Sequence, residues 1–250
     1  MIGMIGGIAS VFTADLALAA AAAAVSGVIH GYTGFGGALV MVPVLALLFG
    51  PVEAIAVTSI AGLIGSAPVY RRAARIAQWR EVGPLSGALV VFTPLGVAVL
   101  FNADPDWIRR AIGAFVLLAA LLIMSGWVYR GARNALTSAL AGAVSGAITG
   151  AAGVGGPPVV VYFMAAPEPP EVQRANILIA IGVMIVITLA AIAIGGGVRA
   201  GTVVRGAVLA PLYMAGFWAG GRLFAIAPRD LYRKVALWLL IATGLAVIVL

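Results

Sequence analysis

Apolar residues fill this chain in long blocks bounded by charges, with no stripe of polar residues that would give any block a water-facing side. Eight charge-free runs stand out: Leu16 to Val52, Ala54 to Tyr70, Val82 to Ala103, Ala111 to Tyr129, Asn134 to Pro167, Ala175 to Val198, Gly206 to Gly221 and Val235 to Leu250. Six have the length of a single bilayer crossing, which takes about 20 apolar residues. The first and fifth hold 37 and 34 residues. As straight helices they would be about 55 and 51 Å long against a hydrocarbon core roughly 30 Å thick, so each must turn back or break.

Glycine is densest where the break is needed, at Gly31, Gly34, Gly36 and Gly37 in one run and Gly150, Gly153, Gly155 and Gly156 in the other. The pattern predicts an all-α membrane protein, a polytopic bundle of about 8–10 hydrophobic helical segments in which the two long runs form glycine-broken or re-entrant helix pairs. The two clusters also match each other, since GxxxGxxGxGG runs from Gly27 to Gly37 and again from Gly146 to Gly156. Asp106-Trp107-Ile108-Arg109-Arg110 pairs similarly with Asp230-Leu231-Tyr232-Arg233-Lys234. The expectation is a single transmembrane domain over residues 1–250, duplicated internally as about 14–130 and 134–250. Met1 to Ala14 lacks the positive start of a secretory signal and reads as a mobile or interfacial leader.

Composition narrows the function. Hydrophobic residues make up 63% of the chain and charged residues 9%, where a soluble domain carries about a quarter charged. A soluble protein is excluded. With no cysteine, disulfides and thiolate metal sites are excluded too. The net charge of +7 does not indicate nucleic acid, because the 15 cations sit at the ends of apolar runs and act as topology signals. Five crossings per half place 11 cations on the inside with the Arg71–Arg80 loop and 4 outside, whereas four crossings give 8 and 7. The positive-inside rule therefore favours inverted halves with both termini outside, whether each glycine-linked pair spans fully or is re-entrant.

Backbone released from helical hydrogen bonding survives at membrane depth only inside protein or beside a wet cavity, and paired breaks in inverted halves point to a transport site. A helix restarting after glycines aims free N–H groups and its positive dipole end into the break, which suits an anion. Small-xxx-small packing between helices is the competing explanation, and it accounts well for Gly27 and Gly31. Candidate substrate-binding residues are Thr33, Gly34, Gly36, Gly37, Thr58, Ser59, Gly153, Gly155, Gly156 and Asn176, the last placed at nearly the depth of Thr58. His30, the sole histidine, is the candidate for carrying a coupling proton. The eight carboxylates all lie at segment ends, so neither a metal cluster nor an acidic catalytic pair is expected in the membrane. A Ser26–His30 dyad lacks any recognisable oxyanion hole, and no enzyme, metal or cofactor is expected.

Gly34-Phe35-Gly36-Gly37, Val42-Pro43, Leu48-Phe49-Gly50 and Ala56-Val57-Thr58-Ser59 resemble the first repeat of the TauE/SafE sulfite exporter family, also called the toluene-sulfonate uptake permease family. Gly150 to Pro158 and Arg174-Ala175-Asn176 resemble its second repeat. Ala38 replaces the third glycine of the family's usual GxGGG. The resemblance implies a multi-pass carrier of the bacterial inner membrane for small anions such as sulfite, sulfonates, sulfoacetate or related organic anions. The bilayer is then its environment, and nucleic acid has no part. A passive anion channel and a non-transporting membrane scaffold are the rival expectations. No ring of charges suggests a permanently open pore.

Overall fold

The computed structural model describes residues 14–127 and 129–226, which form nine helices and no strand. The leader as far as Thr13, the Asp230–Lys234 motif and the run from Val235 to Leu250 lie outside the described residues, as do Arg229, Arg233 and Lys234 of the topology count. In chain order the helices are α1 Ala14–Thr33, α2 Gly37–Phe49, α3 Pro51–Ile76, α4 Trp79–Asn102, α5 Pro105–Ser125, α6 Ala135–Ala152, α7 Gly156–Met164, α8 Pro170–Ile194 and α9 Ala200–Ile226. Among the described residues, α1, α3, α4, α6, α8 and α9 are long and apolar enough to cross a membrane. Large apolar side chains such as Leu95, Leu140, Ile194 and Trp218 stand exposed along them, as lipid contact requires.

Local chemistry sets the boundaries. Pro51 and Pro170 begin α3 and α8, where the missing N–H is harmless. Asn134 and Thr137 form a reciprocal capping box at the start of α6. Asp104 Oδ1 accepts from the backbone N–H of Asp106 at 2.8 Å and so caps α5. Both overlong runs break at their glycines: α1 stops at Thr33 and α2 restarts at Gly37, while α6 stops at Ala152 and α7 restarts at Gly156. At 13 and 9 residues, α2 and α7 are about 20 and 14 Å long, too short to cross the core. The glycine-linked partners are therefore half-helices.

Close contacts fix the relative directions. Gly27 abuts the Tyr213 carbonyl, Gly31 that of Phe217 and Gly220 that of Val28, so α1 and α9 run the same way. Gly142 abuts Leu85, Gly146 abuts Thr93 and Gly150 abuts Thr93 and Val97, so α4 and α6 also run together. Arg205 pairs with Glu53 at 2.8 Å and Gly65 abuts Tyr213, which aligns α3 with α9. Gly62 lies against Ile185 and Gly182 against Tyr70, so α8 opposes α3. The N–H of Gln78, just before α4, bonds Asn176 and Phe101 abuts Gly195, so α4 runs with α8, and two sets result, α1, α3 and α9 in one direction and α4, α6 and α8 in the other. The small-xxx-small interpretation of Gly27 and Gly31 is the observed one, and Gly146 and Gly150 play the same part between α4 and α6. A Cβ would lie 2.2 Å from Tyr213 O at Gly27 and 1.9 Å from Phe217 O at Gly31, so the backbones touch.

Candidate functional site

The ends of α1 and α6 point in opposite directions, yet both border one cavity of about 60 Å³. The two hairpins thus enter from opposite faces and meet at their tips. Gly36, Gly37 and Ala38 line the cavity from the first break, and Gly153, Val154, Gly155 and Gly156 from the second. Neither restarting helix has a side-chain cap. The first N–H groups of an uncapped helix have no intrahelical acceptor; α2 brings those of Gly37 and Ala38 to the cavity wall, whereas α7 continues from Gly156 into Pro157 and Pro158, which have none.

Glycine is required at these tips for two reasons. Gly34, Gly36 and Gly153 hold φ of +82°, +85° and +72°, where a side chain is strained. At Gly37 and Gly155 the backbone is crowded instead, since a Cβ would lie 2.5 Å from Tyr213 Oη in the one and 2.1 Å from Ser145 O in the other. Gly156 is roomier, with only Ile181 at 3.4 Å.

α3 contributes Ile55, Thr58, Ser59 and Gly62 to the lining, a single face at i, i+3, i+4 and i+7. α8 contributes Ile181, Met184, Ile185 and Thr188 at the same spacing. His30 reaches the cavity from α1 and Tyr213 from α9, with 2.6 Å between His30 Nδ1 and the Tyr213 hydroxyl. Phe217 packs edge-on against the His30 ring. Three buried polar atoms of the lining, His30 Nε2, Thr58 Oγ1 and Thr188 Oγ1, have no hydrogen-bond partner among the described residues. Leaving such a group unsatisfied costs about 1–3 kcal/mol, a cost that a polar occupant or ordered water in the cavity would relieve. Thr149 also lines it, but its hydroxyl donates to Ser145 O at 2.7 Å.

Of the residues singled out from sequence, Gly36, Gly37, Thr58, Ser59, Gly153, Gly155, Gly156 and His30 come together at this cavity. Thr33, Gly34 and Asn176 are not part of its lining. Thr33 Oγ1 donates to Ile29 O at 2.7 Å and accepts from the Phe35 N–H at 3.1 Å, which shapes the first break. Gly34 closes α1 through its N–H to His30 O at 2.8 Å. Asn176 Oδ1 accepts from the Gln78 N–H at 2.8 Å, at the junction of α3 and α4. Sequence reasoning missed Thr188 and Tyr213. Tyr213 had a visible signal as the only tyrosine in the charge-free run from Gly206 to Gly221.

Among the described residues no group of histidine and carboxylate side chains has the grouping of a metal site. No curated protein and no solved structure matches this chain. A family model described as sulfite exporter TauE/SafE matches residues 18–247. With both half-helices and every residue lining the cavity between them inside that match, the chain is a multi-pass membrane protein that belongs to the TauE/SafE sulfite exporter family of transporters.

Proposed function

We propose that this protein carries a small anion across the bacterial inner membrane by alternating access, with sulfite, sulfonates such as sulfoacetate and related organic anions as the cargo class. The observation that carries the reading is the convergence of two uncapped helix N-termini and three partnerless buried polar atoms on one cavity. Positive helix ends and N–H and O–H donors are what an oxyanion needs.

The reading includes two inverted repeats, about residues 14–130 and 134–250. Helix directions support it: α1 is antiparallel to its candidate counterpart α6, α3 to α8 and α4 to α9, where parallel repeats would give matching directions. Packing supports it as well, since α4 lies along α6 as α9 lies along α1. A carrier built this way moves one half against the other around the shared site.

Flux of labelled sulfite and sulfoacetate into proteoliposomes tests the proposal. Saturable flux that accelerates when unlabelled anion is loaded on the opposite side supports a carrier. Flux that never saturates indicates a channel, and no flux above protein-free vesicles indicates a scaffold.

A further inference from the structure

We infer that Arg174 handles the anion at a gate on the Arg71–Arg80 side of the cavity, holding that gate closed through Gly31 and exchanging this carbonyl for a cargo oxygen as it opens, while the opposite gate is aliphatic; this rests on the transport reading above.

The repeated pattern locates the two gates. Gly34 and Gly153 hold the same place in it, each just past the end of its incoming helix, α1 or α6. What covers each glycine comes from the other half of the chain. A Cβ at Gly34 would lie 3.2 Å from Arg174 Cγ and 3.7 Å from Leu178 Cγ, both on α8. One at Gly153 would lie 2.8 Å from Ile55 Cγ1 on α3 and 3.2 Å from Val42 Cγ2 on α2. Asn176 accepts from the Gln78 N–H beside the α3–α4 junction, so the Gly34 contact lies toward the Arg71–Arg80 loop. The Gly153 contact, at the tip of the oppositely directed hairpin, lies toward the other face. Contacts between halves on the two sides of a central cavity are those that alternating access breaks in turn. The first includes a cation, and the second is aliphatic.

Helix register puts Arg174 in the path. Ile181, Met184, Ile185 and Thr188 line the cavity from α8, and Leu178 and Arg174 continue that face three and seven residues before Ile181. Seven residues are two turns, about 10 Å of helix leading toward the Arg71–Arg80 loop. Arg174 is half-buried there, and its charge acts on His30 in the lining.

Its guanidinium donates to Gly31 O at 2.6 Å. That carbonyl is in the last turn of α1, and its helical donor, the Phe35 N–H, bonds Thr33 Oγ1 instead. The bond therefore ties the second half to the tip of the first. A sulfonate or carboxylate is a stronger acceptor than a carbonyl, and the guanidinium fork takes two of its oxygens, so an anion at the gate draws Arg174 away from Gly31. Cargo binding and gate release then become one event. A plain helix cap, by contrast, does not discriminate between anions and cations.

The chain has no cysteine, so Ser59→Cys places a single thiol in the cavity wall. Two membrane-impermeant methanethiosulfonates, one ending in a sulfonate and the other in a trimethylammonium group, are timed against it from each face, in right-side-out and inverted membrane vesicles. From the Arg71–Arg80 face, Arg174→Gln should speed the cationic reagent at least about tenfold and lower the sulfonate-to-cation rate ratio about tenfold, the worth of one charge a few ångströms from each reagent. The ratio from the opposite face should move by less than about threefold. Arg174→Lys keeps the charge and should hold the ratio within about twofold. Arg174→Met, which keeps the apolar stem, gives the same reading as Arg174→Gln if the latter is poorly recovered. Labelling by both reagents that speeds up at a constant ratio leaves Arg174 as a cap and overturns the inference, as does a ratio that falls equally from both faces or as far in Arg174→Lys as in Arg174→Gln; the carrier reading survives each of these. Absence of saturable flux in the wild-type protein removes the transport reading and the inference with it.

Discussion

The two glycine breaks share a sequence pattern but divide the work between them. At the first, Gly34 and Gly36 both take positive φ, and α2 restarts on Gly37 and Ala38, which carry N–H groups, ahead of Leu39, whose N–H bonds Gly36 O at 3.1 Å. At the second, only Gly153 has positive φ, and α7 restarts on Gly156 followed by Pro157 and Pro158, which have none. His30 stands beside the first break, and at the matching place in the second stands Thr149, whose hydroxyl is bound to its own helix. The first break is thus rich in donors and the second is mainly a tight backbone turn with room at Gly156. A repeated pattern preserves the turn while its chemistry diverges.

Substitutions can break or sharpen that contrast. Gly155→Ala should have the largest effect, because the added carbon meets backbone at 2.1 Å and cannot be accommodated by a rotamer change. A loss of about 3 kcal/mol or more is expected, read as failure to recover folded protein or a steep fall in thermal stability in detergent. Gly36→Ala comes next. Its Cβ meets only side chains, Ile29 at 3.0 Å and Thr33 Oγ1 at 3.9 Å, so the main effect is the left-handed backbone, about 1–2 kcal/mol by thermal unfolding.

Thr58→Ala and Thr188→Ala should leave stability near wild type, since neither hydroxyl has a partner to lose among the described residues. Each should weaken anion binding by about tenfold, the worth of one hydrogen bond to a charged group. An unchanged affinity in both would detach the hydroxyls from the ligand. Gly156→Ala should be the mildest, within about 0.5 kcal/mol in stability. It nonetheless adds a methyl to the cavity wall, so weaker binding by larger anions such as methanesulfonate relative to chlorate would confirm that the second break sets the available space.

Much of this arrangement is legible in the sequence. The overlong runs force breaks, the glycines locate them, and the GxxxG portions of the repeated pattern account for the contacts of α1 with α9 and α6 with α4. What sequence reasoning misplaced is depth along α8. Pro51 and Pro170 begin α3 and α8 at the same offset as the glycines, which made Asn176 look level with Thr58. The cavity face of α8 instead starts at Ile181 and ends at Thr188, so its match to Ile55–Gly62 is two turns later than that offset gives. Connector geometry supplies the reason. α2 has 13 residues and meets α3 at Gly50, whereas α7 has 9 and is followed by a longer non-helical link. Non-helical chain climbs about 3.3 Å per residue against 1.5 Å in a helix, so α8 starts farther from the cavity and must come back farther. A residue count alone does not carry that difference. Tyr213 was missed for another reason, because its role depends on α9 lying against α1, a contact made across the two halves.

The central claim, that the two breaks form one anion site, is tested most directly by locating a bound anion. Bromate, a singly charged oxyanion with a strong anomalous signal, should give one peak between the N-termini of α2 and α7, within hydrogen-bonding reach of Thr58 and Thr188. A peak at a site lined by neither break, with none in this cavity, would contradict the account.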